Sequence, residues 1–209
     1  TNGSVVISGT TKVGQVLTAA VTDADGIAPG KAVNYLVNGD FSADMTGFGT
    51  DYAGGATWIA TSSTNWGPTV TGGQGGVNDK FMLVDGSTNA NAAFWRESVS
   101  LVAGQKYTFS YYVAGGVASA SQIQLYGNDV AIGAVQTAEL NTGWVRKTIS
   151  FTAGSTGTSV LSLKDVNTQM YGNDFGIDSI SLIKDSDLNP VQYQWYANGV
   201  AITGATKST

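Results

Sequence analysis

Apolar and polar residues alternate through much of the chain, in short runs that Gly, Asn, Ser and Thr separate. In the clearest run one side is formed by Tyr107, Phe109, Tyr111 and Val113. Because successive side chains of a β-strand point to opposite faces, this period of two predicts strands. No window carries a helical period, and shorter alternating runs recur at 81–84, 122–126, 145–151, 160–163 and 180–182. The pattern predicts an all-β chain with a sandwich or jelly roll as its main domain.

The two ends of the chain carry separate, shorter patterns. Residues 1–33 contain two short strand candidates, and residues 188–209 contain an alternating run around Trp195 that an Asn198-Gly199 hairpin signal follows. A two-stranded hairpin is marginally stable at best in water, so neither end is expected to fold alone. We predict that the two ends together form one small β-sandwich around Trp195.

These end segments resemble a known repeat. Segments 9–26 and 193–202, the second reading YQWYANGVAI, are similar to the Ig-like repeats of large bacterial surface proteins, including repeats-in-toxin adhesins. In such repeats the two motifs lie close together, whereas here residues 34–187 separate them. The resemblance implies one Ig-like domain, split into 1–33 and 188–209, with a second domain inserted between its parts.

The inserted segment has a resemblance of its own, carried by five motifs that fall in order. They are LVNGDF at 36–41, FMLVDG at 81–86, AGQKYTFS at 103–110, WVRKTISF at 144–151 and NDFGIDSISL at 173–182. Together they resemble the jelly-roll carbohydrate-binding modules found beside xylanases and cellulases, and the related galactose-binding-like sandwiches of bacterial surface proteins. The resemblance implies a jelly-roll β-sandwich over 34–187 and, beyond the fold, sugar binding.

Charge and composition exclude several classes of partner. The 209 residues carry a formal net charge of −5, and the 10 Lys and Arg residues do not cluster. Nucleic acid and anionic membrane would each need a basic patch, so neither is expected as a partner. No apolar run approaches the roughly 20 residues that span a bilayer. The chain begins and ends in mid-pattern, so we expect a monomeric piece of a larger extracellular protein on a bacterial cell surface, joined to neighbouring repeats of that protein.

Catalysis is not expected. The chain has no His and no Cys, which excludes Ser–His and Cys–His nucleophile systems. A glycosidase needs two positioned carboxylates, but the only glutamates are Glu97 and Glu139, and the aspartates mostly lie in turn contexts. The Gly-rich run 72–76 lacks the Lys-Ser/Thr ending of a phosphate-binding loop, so we expect a flexible loop there.

Calcium is the cofactor that the chain suggests. The modules that the central domain resembles tie their first strand to their last with a structural Ca²⁺, which implies ligands near Asp40 and at Asp178. Ser42 stands where those modules usually carry an acidic residue, and Asp40 or Asp79 could compensate for it. A second ion could bind at 23–25. Two alternatives remain open: Asp40 only caps a turn, and 23–25 is a solvated turn.

Aromatic residues carry the hypothesis of sugar binding, because a sugar ring packs its C–H face on an aromatic ring while its hydroxyls need polar partners. Trp58 and Trp66 lie in turn-rich segments outside the clean strand patterns, where we expect them to face water and bind. It remains equally open that they are loop anchors. Gln122, Gln124 and Tyr126 form a polar face with one aromatic, compatible either with a binding face or with a plain solvent face.

The other tryptophans are assigned differently. Trp144 begins a strand pattern and Trp195 lies within one, so both are predicted to be core residues, whereas Trp95 is ambiguous. The leading function is therefore non-catalytic binding of a glycan or another cell-surface ligand in adhesion, with structural calcium. The alternative is a structural extender or spacer of the adhesin that has no ligand of its own.

Overall fold

In a computed structural model of the chain, the structure describes residues 4–12, 14–22, 33–53, 56–63, 67–169, 171–188 and 194–205. The chain divides into two units, one formed by Asn34–Asp185 and one by Thr1–Val33 with Ser186–Thr209. The larger unit thus begins at the predicted residue, 34, and ends two residues before the predicted end, 187. The Ig-like nature of the ends and the insertion itself stay predictions. Among the described residues, no helix has the length and apolarity needed to cross a membrane.

Almost all regular structure in the described residues is β-strand, as the alternation predicts. Two strands belong to the first end segment, β1 (Ser4–Gly9) and β2 (Leu17–Thr22). The larger unit contains β3 (Thr57–Ala60), β4 (Ser62–Ser63), β5 (Val70–Thr71), β6 (Phe81–Val84), β7 (Ala93–Leu101), β8 (Lys106–Gly115), β9 (Ser121–Gly127), β10 (Val130–Ala138), β11 (Val145–Thr152), β12 (Gly157–Asp165) and β13 (Phe175–Lys184). A 3₁₀ helix at Asp185–Leu188 follows, and then β14 (Tyr196–Ala197) and β15 (Val200–Ala201).

Two antiparallel sheets form the sandwich of the larger unit. One has the order β10-β9-β12-β7, and the other has the order β11-β8-β13-β6-β3. The predicted apolar side of β8 is buried between them, and Phe109 of β8 contacts Trp95 of β7 with ring centroids 5.9 Å apart. The buried cluster draws on both sheets, which confirms the predicted all-β sandwich.

Strand β7 is an element that the alternation did not predict. Its pairing with β12 shifts register between Leu163 and Lys164, so the chain bulges near Phe94 and Trp95. Both of these neighbouring side chains are fully buried, which breaks the period of two at this point. The shift resolves the ambiguity of Trp95, which lies in the core.

A second, smaller core lies on the outside of the five-stranded sheet. Phe81 and Leu83 of β6 point away from the main core, to which the intervening Met82 belongs. They cluster with Val70 and Ala114, and three half-buried side chains pack against this group: Trp58, Ala60 and Trp144. The β4–β5 hairpin belongs to this layer through Val70.

The described parts of the smaller unit are two antiparallel hairpins. Strand β1 pairs with β2 from Ser4↔Thr22 to Gly9↔Leu17. Strand β14 pairs with β15 across Asn198 and Gly199, whose φ angles of 50° and 79° suit a tight two-residue hairpin. The predicted hairpin signal is therefore confirmed. The predicted turns within 23–32 and the alternation at 191–193 lie outside the described residues.

Candidate ligand-binding face

The outward side of the four-stranded sheet combines charged, amide and aromatic side chains. Register places Tyr126, Ser162 and Arg96 in one row across β9, β12 and β7. At about 4.8 Å between neighbouring strands, this row spans roughly 10 Å. We call this surface the groove face and define it by the outward residues Arg96, Ser98, Gln122, Gln124, Tyr126, Val160, Ser162 and Lys164.

One cavity on the groove face is lined mainly by polar groups. It has a volume of about 400 Å³, and its lining includes Asn128, Asp129 and Lys164. The Lys164 ammonium lies 4.5 Å from the centroid of the Tyr126 ring and 2.9 Å from Asp129 Oδ1. Since the Lys164 side chain is nearly buried, these contacts hold the ring and the ammonium in a fixed arrangement.

A second cavity joins the first at Arg96 and Val160, which line both. It has a volume of about 490 Å³, and its lining includes Phe48 and Glu97. Phe48 is half-buried and packs edge-on against Phe41, with ring centroids 5.4 Å apart. Both volumes lie within the range of roughly 300–1,000 Å³ that is usual for ligand sites.

Glu97 is the least satisfied polar group of this second cavity. Its side chain is 8% exposed, and its Oε1 accepts a hydrogen bond of 2.8 Å from the backbone N–H of Val37. Its Oε2 is buried and has no hydrogen-bond partner. Burial raises the pKa of Glu97, and the hydrogen bond from Val37 opposes that rise. This oxygen is sealed from solvent as well as unpartnered among the described residues, so Glu97 lies under the second cavity, on the inner side of β7.

The cations of the groove face are already paired with carboxylates. The Arg96 guanidinium lies 3.1 Å from Asp51 Oδ1, and Asp51 Oδ2 also accepts the N–H of Ala93. The backbone of Arg96 exchanges two 2.8 Å hydrogen bonds with Gly49, which fixes the segment carrying Phe48 beside β7. Local charge on this face is nearly balanced, so the arrangement suits a neutral polar ligand better than a strongly charged one.

The predicted polar residues of β9 have different roles. Gln124 is buried, and its Nε2 donates to the carbonyls of Leu125 (3.0 Å) and Ile132 (2.8 Å). Because β10 bulges between Ile132 and Gln136, Gln124 satisfies carbonyls that lack a regular strand partner. Its amide nitrogen therefore supports the fold and is not directed at a ligand. The side chain of Gln122 is exposed.

The burial of the tryptophans differs from the expectation, which was that those in turn-rich segments are exposed to water. Trp58 lies in β3 opposite Leu83 and is half-buried against the smaller core. Trp66 lies outside the described residues. Trp144 is also half-buried there, its ring 5.2 Å from that of Phe81, and its Nε1 donates to the carbonyl of Gly72. The described aromatics at the groove face are instead Phe48 and Tyr126.

Two of the three predicted calcium ligands come together. Asp178 is fully buried, and its Oδ2 accepts the N–H of Gln74 at 2.6 Å. Asp79 Oδ2 accepts the N–H of Gly75 at 2.6 Å. A Cβ added at Gly73 would lie 2.5 Å from Asp178 Oδ2, 2.7 Å from Asp79 Oδ2 and 2.9 Å from the carbonyl oxygen of Lys80, so these three oxygens converge.

Burial and, less strongly, the neighbouring Asp79 carboxylate raise the pKa of Asp178 to about 7, against hydrogen bonds from Gln74 and Ser179 that lower it. The Gly-rich run 72–76, predicted to be a flexible loop, is held here by backbone N–H groups that bond to these two carboxylates. Asp40 is exposed and its Oδ1 accepts from the N–H and hydroxyl of Ser42, as a turn cap does. Within the described ranges, no group of three acidic, His or Cys side chains is arranged to hold a metal.

One charged residue beneath the second cavity, Glu97, could have been recognised from the sequence as unusual. Trp95, Val99 and Leu101 form an apolar alternation, and Glu97 occupies an inward position within it. A charged residue at such a position is unusual unless it is paired or functional, and that signal was overlooked. Phe48 and Asp51 offered no local signal, because only the pairing of their segment with β7 brings them to this face.

Comparison with known proteins gives a fold but no close relative. No protein-family model matches the chain, and no curated protein matches its sequence. The N-terminal CBM22-1-CBM22-2 tandem domain of Xyn10C from Paenibacillus barcinonensis has a TM-score of 0.50 and 12% identity, over 73% of this chain and 46% of that one. A Bacteroides thetaiotaomicron protein provisionally named a sugar-binding protein has a TM-score of 0.50 and 11% identity, over 73% of this chain and 100% of that one.

A third similar structure is TmCBM61 in complex with β-1,4-galactotriose, with a TM-score of 0.46 and 20% identity, over 73% of this chain and 99% of that one. At such identities the similarity shows the fold alone. The larger unit is a jelly-roll β-sandwich, and the two neighbours with a TM-score of 0.50 carry the names of a CBM22 tandem domain and a sugar-binding protein.

Proposed function

We propose that this protein is a non-catalytic glycan-binding segment and that the glycan lies along the groove face. The observation that carries the proposal is the pair of cavities that meet at Arg96 and Val160 on the outside of the four-stranded sheet, one lined by Phe48 and the other mainly by polar groups. The jelly-roll fold supports it, since the structural neighbours carry names of sugar-binding modules.

The chemistry of the groove matches the two needs of a sugar. Phe48 lines the second cavity and offers ring surface on which the C–H face of a sugar ring can pack, and Tyr126 lies beside the first cavity, in contact with Lys164. Ser162 and Asn128 line the first cavity and offer a hydroxyl and an amide group. Because Arg96 and Lys164 are neutralised by carboxylates, we expect a neutral glycan rather than a polyanion.

The test begins with a glycan array probed with the full chain, followed by calorimetric titration of the glycan that binds. Tyr126→Ala should weaken binding roughly tenfold, since one ring contact contributes about 1 kcal/mol or more. Tyr112→Ala is the matched control, because Tyr112 is a half-buried tyrosine beside a different cavity, on the outside of the five-stranded sheet. Loss of binding in Tyr112→Ala with full binding in Tyr126→Ala would move the site to the opposite face.

We also propose that a structural Ca²⁺ binds between Asp79 and Asp178. The fully buried Asp178 carboxylate beside the half-buried Asp79 needs a shared proton or a cation, and oxygen-only ligands suit Ca²⁺. The convergence of both carboxylates with the Lys80 carbonyl oxygen supports a Ca²⁺ site here. We assign Asp40 the role of a turn cap, because its Oδ1 accepts the hydrogen bond from the N–H of Ser42. Millimolar Ca²⁺ should raise the melting temperature of the chain relative to EDTA, and Asp178→Asn should remove that gain. An equal rise in Asp178→Asn would contradict the assignment.

The biological setting that we propose is an extracellular bacterial adhesin in which this segment is one monomeric part, joined to neighbouring repeats. The Ig-like resemblance of the two ends supports it. The second candidate function, a spacer without its own ligand, is favoured by the internal pairing of charges on the groove face. An array on which the folded chain binds no glycan would favour the spacer over the binding function.

A further inference from the structure

A second group of buried oxygens lies at the start of β13, away from Asp79 and Asp178. Asp174 is 7% exposed, and its Oδ1 accepts a hydrogen bond of 3.0 Å from the backbone N–H of Gly86. Asp85, the residue before Gly86, is exposed, and its carboxylate interacts directly with that of Asp174. A Cβ added at Gly86 would overlap Oδ1 of the fully buried Asn173. Three side chains thus bring oxygen atoms to the backbone of one glycine.

The orientation of Asn173 is fixed by its other partners. Its Nδ2 donates to Asp165 Oδ2 and to the carbonyl of Asn167, both at 2.9 Å. These two bonds use both amide hydrogens, so the atom directed at Gly86 has to be the carbonyl oxygen Oδ1. That oxygen is buried and has no hydrogen-bond partner among the described residues. Asp165 therefore acts as a positioning residue that turns a free acceptor toward Gly86, whose N–H bonds to Asp174.

The charge of this group is uncompensated. No ion pair within the described part of the chain involves Asp85, Asp165 or Asp174. Burial raises the pKa of Asp174, and the neighbouring charge of Asp85 adds to the rise. A cavity of about 360 Å³ lined by Asp85, Gly86 and Ser87 opens at one member of the group, the exposed Asp85, so an ion held there could keep water ligands.

We propose that Asp85, Asp174 and the amide oxygen of Asn173 bind a hard divalent cation, of which Ca²⁺ is the best match. Only oxygen atoms are offered, two of the three ligands are carboxylates, and the positive charge satisfies an acceptor that the protein leaves unpaired. Asp174 and Asp178 are four residues apart along one extended segment, or about 13 Å, so this ion is distinct from one at Asp79 and Asp178. It ties the loop after β6 to the start of β13.

The experiment is calorimetric titration of the full chain with CaCl₂ at pH 7, after removal of metal with EDTA. We expect Asp85→Asn to lower the Ca²⁺ stoichiometry by one relative to the unmodified chain, and Asp174→Asn to do the same. Because Asp85 is exposed, Asp85→Asn should fold. It therefore keeps the test valid even if Asp174→Asn fails to fold. Asp44→Asn is the matched control, because it removes an equal charge from another exposed carboxylate and should leave the stoichiometry unchanged.

Asp178→Asn separates this proposal from the calcium site of the preceding subsection. The proposal predicts that Asp178→Asn retains the ion that Asp85→Asn loses. It is overturned if the unmodified chain binds no Ca²⁺, since the two carboxylates then share only a proton. It is also overturned if a folded Asp85→Asn keeps the full stoichiometry, or if Asp178→Asn abolishes all binding.

Discussion

The two outer faces of the sandwich differ in how their aromatic side chains are packed. On the groove face, Phe48 and Tyr126 lie at or beside cavities and among charged groups. On the outside of the five-stranded sheet, which we call the covered face, Trp58 and Trp144 pack with Phe81 into a second core. The tryptophan-rich part of the covered face is thus filled by the protein itself, while a cavity of about 450 Å³ lies beside Tyr112 elsewhere on that face. The groove face keeps open space beside its aromatics.

Polar side chains elsewhere on the covered face bond to one another. Ser110 and Ser181 hydroxyls lie 2.9 Å apart, and Arg146 donates to the Ser110 hydroxyl at 3.1 Å. On the groove face the cations pair with carboxylates, and two cavities meet between Arg96 and Val160. The groove face differs in that ring surface, at Phe48, lines its open space.

The largest loss of stability is expected from removing a buried ring from the core on the covered face. Phe81→Ala removes a fully buried ring that touches Trp144 and should lower the free energy of unfolding by about 3–5 kcal/mol, measured by urea denaturation. Val130→Ala, at an exposed valine, is the control and should change it by about 0.5 kcal/mol or less. A loss in Phe81→Ala as small as that of the control would show that this layer is not a core.

A smaller stability loss should accompany Trp58→Ala, because Trp58 lies in an edge strand and is only half-buried. We expect a loss of about 2 kcal/mol with the affinity for glycan unchanged, measured by denaturation and by titration. Reduced affinity in a folded Trp58→Ala protein would place the ligand on the covered face instead.

Acidification should stabilise the metal-free protein. Burial raises the pKa of Asp165 to about 6 and that of Asp178 to about 7, with Asp174 and Asp79 as their charged neighbours. Unfolded aspartates titrate near pH 4, so between pH 4 and about 7 the folded chain binds more protons than the unfolded chain. The free energy of unfolding therefore falls as pH rises through this window.

In EDTA we expect a higher melting temperature at pH 5 than at pH 8, equivalent to about 2 kcal/mol. Asp178→Asn should shrink the difference, since an amide does not titrate. A melting temperature that is higher at pH 8 would contradict the sign of both shifts.

The smallest effect should come from Asp129→Asn, which removes the exposed partner of Lys164. The stability change should stay below about 1 kcal/mol, as for other exposed ion pairs. If Asp129 serves mainly to hold Lys164 over Tyr126, affinity should fall less than in Tyr126→Ala. A larger fall would assign Asp129 a direct contact with the ligand.

The sequence by itself determined the fold class and much of the strand content. The period of two in β8 predicts its buried side correctly, because burial of one sheet face imposes that period locally. The Asn198-Gly199 turn was likewise readable, since its conformation depends on two adjacent residues. Asp178 was expected as a calcium ligand from a resemblance and Asp79 as a residue that could compensate for Ser42, but their proximity was not predicted.

Only the tertiary structure decided which aromatic residues are available to a ligand. Trp58 has no core-like sequence neighbours, yet β3 pairs with β6 and sets it against the second core. Phe48 meets Glu97 because its segment pairs with β7, some fifty residues later in the chain. Whether an aromatic ring is exposed depends on which residues pack against it. At these positions the packing residues lie far away in the sequence, so no local pattern predicts the exposure.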